Sequence, residues 1–160
     1  MNTFFSNYWT DMGVERAALL QDIIHQLTER KYFVNIQDGW TPWDLRIQQG
    51  VWSYAYLQTC AENHGGNDRL LRLKMKLSLS GLSKSLIVAW ALLVALEIVH
   101  IAHGHFLQHG NGLGIAIMVI GSLITIGLLV QAQRMGRSLM RVFDVSAKNL
   151  ALVDAARKGA

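Results

Sequence analysis

The sequence predicts an α+β domain followed by a membrane hairpin: an N-terminal helix on a meander of about four antiparallel strands, two transmembrane helices, and a C-terminal amphipathic helix. Three observations predict it. Apolar residues recur at steps of three and four from Gly13 to Arg30, polarity then alternates with period two as far as Leu79, and two apolar runs follow at 82–102 and 113–131. The chain divides accordingly into a small cytoplasmic domain (1–80), a hairpin (81–133) and a basic tail (134–160).

The aromatic lead, Phe4, Phe5, Tyr8 and Trp9, reads as a frayed terminus that covers the domain's own core. The helix places Val14, Ala17, Leu20, Ile24 and Leu27 on one face, with Asp11 near its start and Arg30 and Lys31 at its end. Tyr32, Val34 and Ile36 then alternate with Phe33, Asn35 and Gln37, and Asp38-Gly39 turns the chain. Leu45 and Ile47 form a second strand, Val51 to Thr59 a third, and Leu71 to Leu79 a fourth, with turns at Gln49-Gly50 and at His64 to Asp68. The two glycines of that last turn serve backbone geometry.

The register of the last hairpin follows from burial. Pairing Trp52, Tyr54 and Tyr56 with the row Leu71, Leu73, Met75, Leu77 and Leu79 makes one apolar face for the helix to cover. It leaves Arg46, Arg72, Lys74 and Lys76 outside.

Each apolar run matches the ~20 residues that a helix needs to cross a ~30 Å hydrocarbon layer. Arg69, Arg72, Lys74, Lys76 and Lys84 precede the first run, Arg134, Arg137, Arg141 and Lys148 follow the second, and the loop between them has no Lys or Arg. The positive-inside rule puts both termini in the cytoplasm of a bacterial inner-membrane protein. Met1 to Met12 has neither a basic nor an apolar signal region, so the first span is expected to direct insertion. The single cysteine, Cys60, excludes an internal disulfide. The net charge of +4 sits beside the spans, where anionic lipid headgroups account for it and nucleic acid does not.

Four features could carry function. Glu97, His100, His103, His105 and His109 gather at the outer end of the first span, and imidazole with carboxylate suits a transition metal. A polar loop at the membrane boundary explains the same residues. Arg46, Arg72, Lys74 and Lys76 form a basic sheet face, read either as a docking surface for an acidic partner or anionic lipid, or as a solvated face. Ala91 and Ala95, and Gly121 and Thr125, allow close packing of the spans. In the tail, Leu139, Val142, Phe143, Leu150 and Val153 make an apolar stripe opposite Arg134, Arg137 and Arg141, a basic amphipathic helix for the inner leaflet or a partner. A phosphate-binding glycine loop, a nucleophile elbow, a cysteine metal pair and a catalytic triad are all absent from the sequence, and at 160 residues no multi-domain enzyme fits.

The run DGWTPWDLRIQQGVWSYAYLQTCAENHGGNDRLLRLKMKL, from Asp38 to Leu77, resembles a module of bacterial glycosyltransferases and exporters of envelope glycans. There a WDL strand is followed by an ENHGG-type hairpin and basic strands before membrane spans. The resemblance implies an accessory or anchoring piece of a polysaccharide synthesis or export system. No Asp-x-Asp sugar-nucleotide site is present, and Gln131 to Met135 lacks the tryptophan of the acceptor motif of processive synthases, so no catalytic residue carries over. The expected function is a non-catalytic coupling of the small domain to other membrane subunits; the alternative is a metal-responsive protein that uses the histidine loop.

Overall fold

A computed structural model describes residues 3–10, 12–37, 42–66, 68–102 and 112–155. The elements in order are β1 (Thr3–Thr10), α1 (Arg16–Glu29), β2 (Phe33–Ile36), β3 (Leu45–Gln49), β4 (Ser53–Asn63), β5 (Arg69–Leu79), α2 (Gly81–Ala102), α3 (Gly112–Asn149) and β6 (Val153–Asp154). The fold is α+β. The strands form one antiparallel sheet of six in the order β2-β3-β4-β5-β1-β6, in which β2 to β5 are the predicted meander. Positive φ at Gly65 and Gly66 closes the β4–β5 turn, as the glycine pair in the sequence requires.

The core lies on one face of the sheet. Leu45, Ile47, Ala55, Leu57, Leu73 and Met75 are all at most 2 % exposed there. Two helices cover them. α1 contributes Leu19, Ile23 and Leu27, spaced four apart and so stacked on a single face. α3 contributes Met135, Leu139, Val142, Phe143 and Ala147. Both helices end on a left-handed residue other than glycine, Lys31 at φ 60° and Ala151 at φ 53°. In each case the following N–H reaches back to the last turn, from Tyr32 to the Leu27 carbonyl and from Leu152 to the Ala147 carbonyl.

Four expectations need correction. The aromatic lead is β1, held between β5 and β6. Its two faces, Phe4-Ser6-Tyr8-Thr10 and Phe5-Asn7-Trp9, both mix aromatic with polar residues, so alternation gave no strand signal. The register of the last hairpin is the other one: Tyr54 faces Ser78 and Tyr56 faces Lys76, while Ala55 and Leu57 face Leu77 and Met75. Small residues win the inner face because a helix must come close to it: Ser53 Oγ donates to Met135 Sδ at 3.3 Å, and Ala55 is fully buried. α1 therefore covers the face opposite the aromatic row. Finally, the tail is no separate amphipathic helix. It continues the second apolar run as one helix of 38 residues; Leu139, Val142 and Phe143 of its stripe are central to the domain core and Leu150 packs at the edge, whereas Val153 is exposed in β6. The N-terminal cap of α1 is Glu15, without a side-chain bond, and Asp11 lies outside the described residues.

α2 and α3 each contain a stretch long and apolar enough to cross a membrane, Gly81–Val99 and Ala116–Asn149. Leu92, Leu96, Ile98, Val119, Ile120, Leu123 and Ile126 are more than half exposed along them. The two helices meet where the Trp90 ring lies on Gly121, a position at which an added Cβ would fall on the indole. Thr125 satisfies its hydroxyl locally by donating to the Gly121 carbonyl at 2.9 Å. Only Ser80 separates β5 from α2, as the sequence predicts. Its Oγ accepts from the Ser83 amide, and Ser83 Oγ–H in turn donates to the Trp52 carbonyl at 2.6 Å, so the first turn of α2 is tied to the start of β4.

Candidate functional site

The register that buries Ala55 and Leu57 turns Tyr54 and Tyr56 outward, among the cations. Arg46, Tyr56 and Lys76 lie directly opposite one another across β3, β4 and β5. Tyr56 thus has a cationic residue as its cross-strand neighbour on each side, the backbones about 4.8 Å apart at the usual strand spacing. The Arg46 guanidinium lies 4.8 Å over the Tyr54 ring. Tyr54 meets Tyr56 edge-on with centroids 5.0 Å apart, and Trp43 leans on Tyr56 at 5.2 Å. One register position further along, Lys74 lies opposite Gln58 and 5.9 Å from the ring of Phe5.

The electrostatics follow the neighbours. The Tyr54 phenol is lowered by its hydrogen bond with Ser78, with help from Tyr56 and from the charges of Lys84 and Arg46. The Tyr56 phenol is raised by burial and by Tyr54. Arg72 pairs with Glu62 at 2.9 Å, whereas Arg46, Lys74 and Lys76 form no ion pair among the described residues.

Of the predicted site residues, the structure brings Arg46, Arg72, Lys74 and Lys76 onto this one face. Arg134, Arg137 and Arg141 fall together elsewhere, on α3, where with Ser138 they line a recess of about 340 Å³. Glu97 is half-exposed on α2, and the backbone of His100 belongs to the same helix. His103, His105 and His109 lie outside the described residues, and among the described residues no three His, Cys, Asp or Glu side chains gather to hold a metal.

Sequence reasoning missed Trp43, Tyr54 and Tyr56 as surface groups because it buried the tyrosines and treated the tryptophan as connection. Within the WDL triplet Trp43 leans on Tyr56 at the surface, Leu45 is buried, and the Asp44 carboxylate ties β4 to α1. Asp44 Oδ2 accepts from the Thr59 amide and hydroxyl at 2.6 and 2.7 Å, and Oδ1 accepts from Arg16 of α1 at 3.0 Å.

On the other side of the sheet Tyr8 donates to Asp144 Oδ1 at 3.0 Å and so joins β1 to α3. Burial, the bond to Asp144 and that residue's charge push the phenol from 10 up to about 12. The folded state favours the neutral phenol, so this stabilisation is complete below pH 10 and is lost as pH rises toward 12. Tyr8→Phe should cost about 1 kcal/mol at neutral pH for the lost hydrogen bond. From pH 8 to 11, wild type should lose roughly 1 kcal/mol that the variant does not lose. Unfolding curves of both proteins across that range check it, and parallel pH dependences would refute it.

The chain matches no family model, no curated protein and no solved structure.

Proposed function

We propose that this is a two-span protein of the bacterial inner membrane that couples a small cytoplasmic domain, without catalysis, to a larger membrane complex. The observation that carries the reading is α3. Its first half is apolar, with most of the described side chains from Ala116 to Val130 exposed, its second half is the centre of the domain core, and no break separates them. Apolar surface of this extent needs lipid or protein around it. A helix shared between span and core makes the domain answer to whatever moves or contacts the span. The cations on both flanks put the domain and the two termini in the cytoplasm. Arg134, Arg137 and Arg141, just past the apolar half of α3, then receive anionic headgroups, each worth about 1 kcal/mol at the surface. The resemblance of Asp38 to Leu77 to an envelope-glycan module gives the partner its class, a machine for polysaccharide synthesis or export.

Purification in a mild detergent should return the chain in stoichiometric association with other membrane subunits; recovery of free monomer alone would overturn the coupling. Cys60, exposed and the single cysteine, reports orientation. An impermeant maleimide should label it only after spheroplasts are lysed, and labelling of intact spheroplasts would overturn the topology.

A further inference from the structure

The open sheet face ends in a recess of about 340 Å³ lined by Pro42, Trp43, Tyr56, Gln58, Lys74 and Lys76. Among the described residues its lining contains no acidic side chain. Two tilted rings make an apolar ledge, an amide offers both donor and acceptor, and two exposed ammonium groups stand beside it. Arg46 adds a third cation on the far side of Tyr56, and its Nε is buried without a hydrogen bond among the described residues. The volume falls within the ~300 to 1,000 Å³ of small-molecule sites.

The course of α3 decides whether a bilayer could occupy this face. Gly136 lies against Leu77 and Phe4, and Asp144 bonds Tyr8. Eight helical residues rise about 12 Å and four strand residues about 13 Å, so α3 and β1 run side by side. If α3 crosses the membrane, the strands hang along the membrane normal and the outer face looks sideways into solution. Only in excluding the bilayer does the inference rest on the two-span reading; the chemistry of the recess stands apart from it.

We infer that the recess binds a phosphate carried on a ring, with the ring on Trp43 and Tyr56 and the phosphate between Lys74 and Lys76. Aromatic faces accept the flat side of a base or the CH face of a sugar, and paired cations favour phosphate over a neutral analogue. Nucleoside phosphates and sugar phosphates share this chemistry, and the experiment separates them.

Full-length protein in detergent is titrated by calorimetry with uridine monophosphate, glucose 1-phosphate, inorganic phosphate, uridine, glucose, a hexaglutamate peptide and phosphatidylglycerol vesicles. One of the two ring phosphates should bind about tenfold or more tighter than both inorganic phosphate and its own neutral ring. Trp43→Ala should abolish the advantage over inorganic phosphate. Lys74→Gln with Lys76→Gln should abolish the advantage over the neutral ring; both lysines are exposed, so this variant keeps the fold. Absence of binding by either ring phosphate, binding unchanged in both variants, tighter binding of hexaglutamate, or binding to vesicles alone would each overturn the inference. None of these outcomes bears on whether the chain purifies within a complex.

Discussion

Phe143→Ala should leave the α+β domain unfolded or close to it, although the residue lies in what the sequence presents as a basic tail. The ring is 1 % exposed within the domain core, and losing a buried phenylalanine costs about 3–5 kcal/mol. Small domains hold only ~5–15 kcal/mol in total. Phe143→Leu, which keeps most of the volume, should cost less than about 1.5 kcal/mol. Chemical unfolding in detergent, followed by near-ultraviolet circular dichroism, separates the two. A Phe143→Ala protein as stable as wild type would mean that the second half of α3 is not core.

Gln133→Pro should have the second large effect. Gln133 is exposed, so its side chain contributes little, but it lies inside α3 between the apolar half and Met135. Proline there removes the bond to the Leu129 carbonyl and clashes with it, at a cost of about 3 kcal/mol or more. Gln133→Ala should behave as wild type. Under the proposed two-span reading both apolar stretches should still insert, with Cys60 labelled as before, while any association with other membrane subunits that wild type shows should be lost. Equal stability of the proline and alanine variants would show that continuity of α3 is unimportant.

The helix α1, the four-strand meander and the two apolar runs were legible because each has a clean period: Val14, Ala17, Leu20, Ile24 and Leu27 at three and four, Leu71 to Leu77 at two; the most buried stripe of α1 proved to be Leu19, Ile23 and Leu27, with Val14, Leu20 and Ile24 at its margin. The register of β4 was not. Tyr54 and Tyr56 carry more apolar area than Ser53 and Ala55, so burial alone points them inward; what reverses the choice is α3 coming close to the sheet from 80 residues away in sequence. The tail stripe was read correctly as apolar at Leu139, Val142 and Phe143, but a stripe does not name its partner, which proved to be the chain's own sheet. The end of α3 was hidden for a local reason: its left-handed stop is Ala151, not glycine. The basic face was visible as a row of charges, and its aromatic half became visible only with the register.

The placement of the core helix also constrains biosynthesis. β1 to β5 leave the ribosome first, with Leu45, Leu57 and Met75 facing nothing but α1. The residues that close over them, from Met135 to Ala147, are translated only after both apolar runs. The α+β domain therefore closes its core only after both apolar runs have been synthesised, and any delay between them prolongs the time its sheet stays sticky. If the apolar runs enter a membrane as proposed, cells that slow insertion should accumulate this chain as aggregate or protease fragments with the strands cut, because the order of synthesis then makes delivery a checkpoint for the domain.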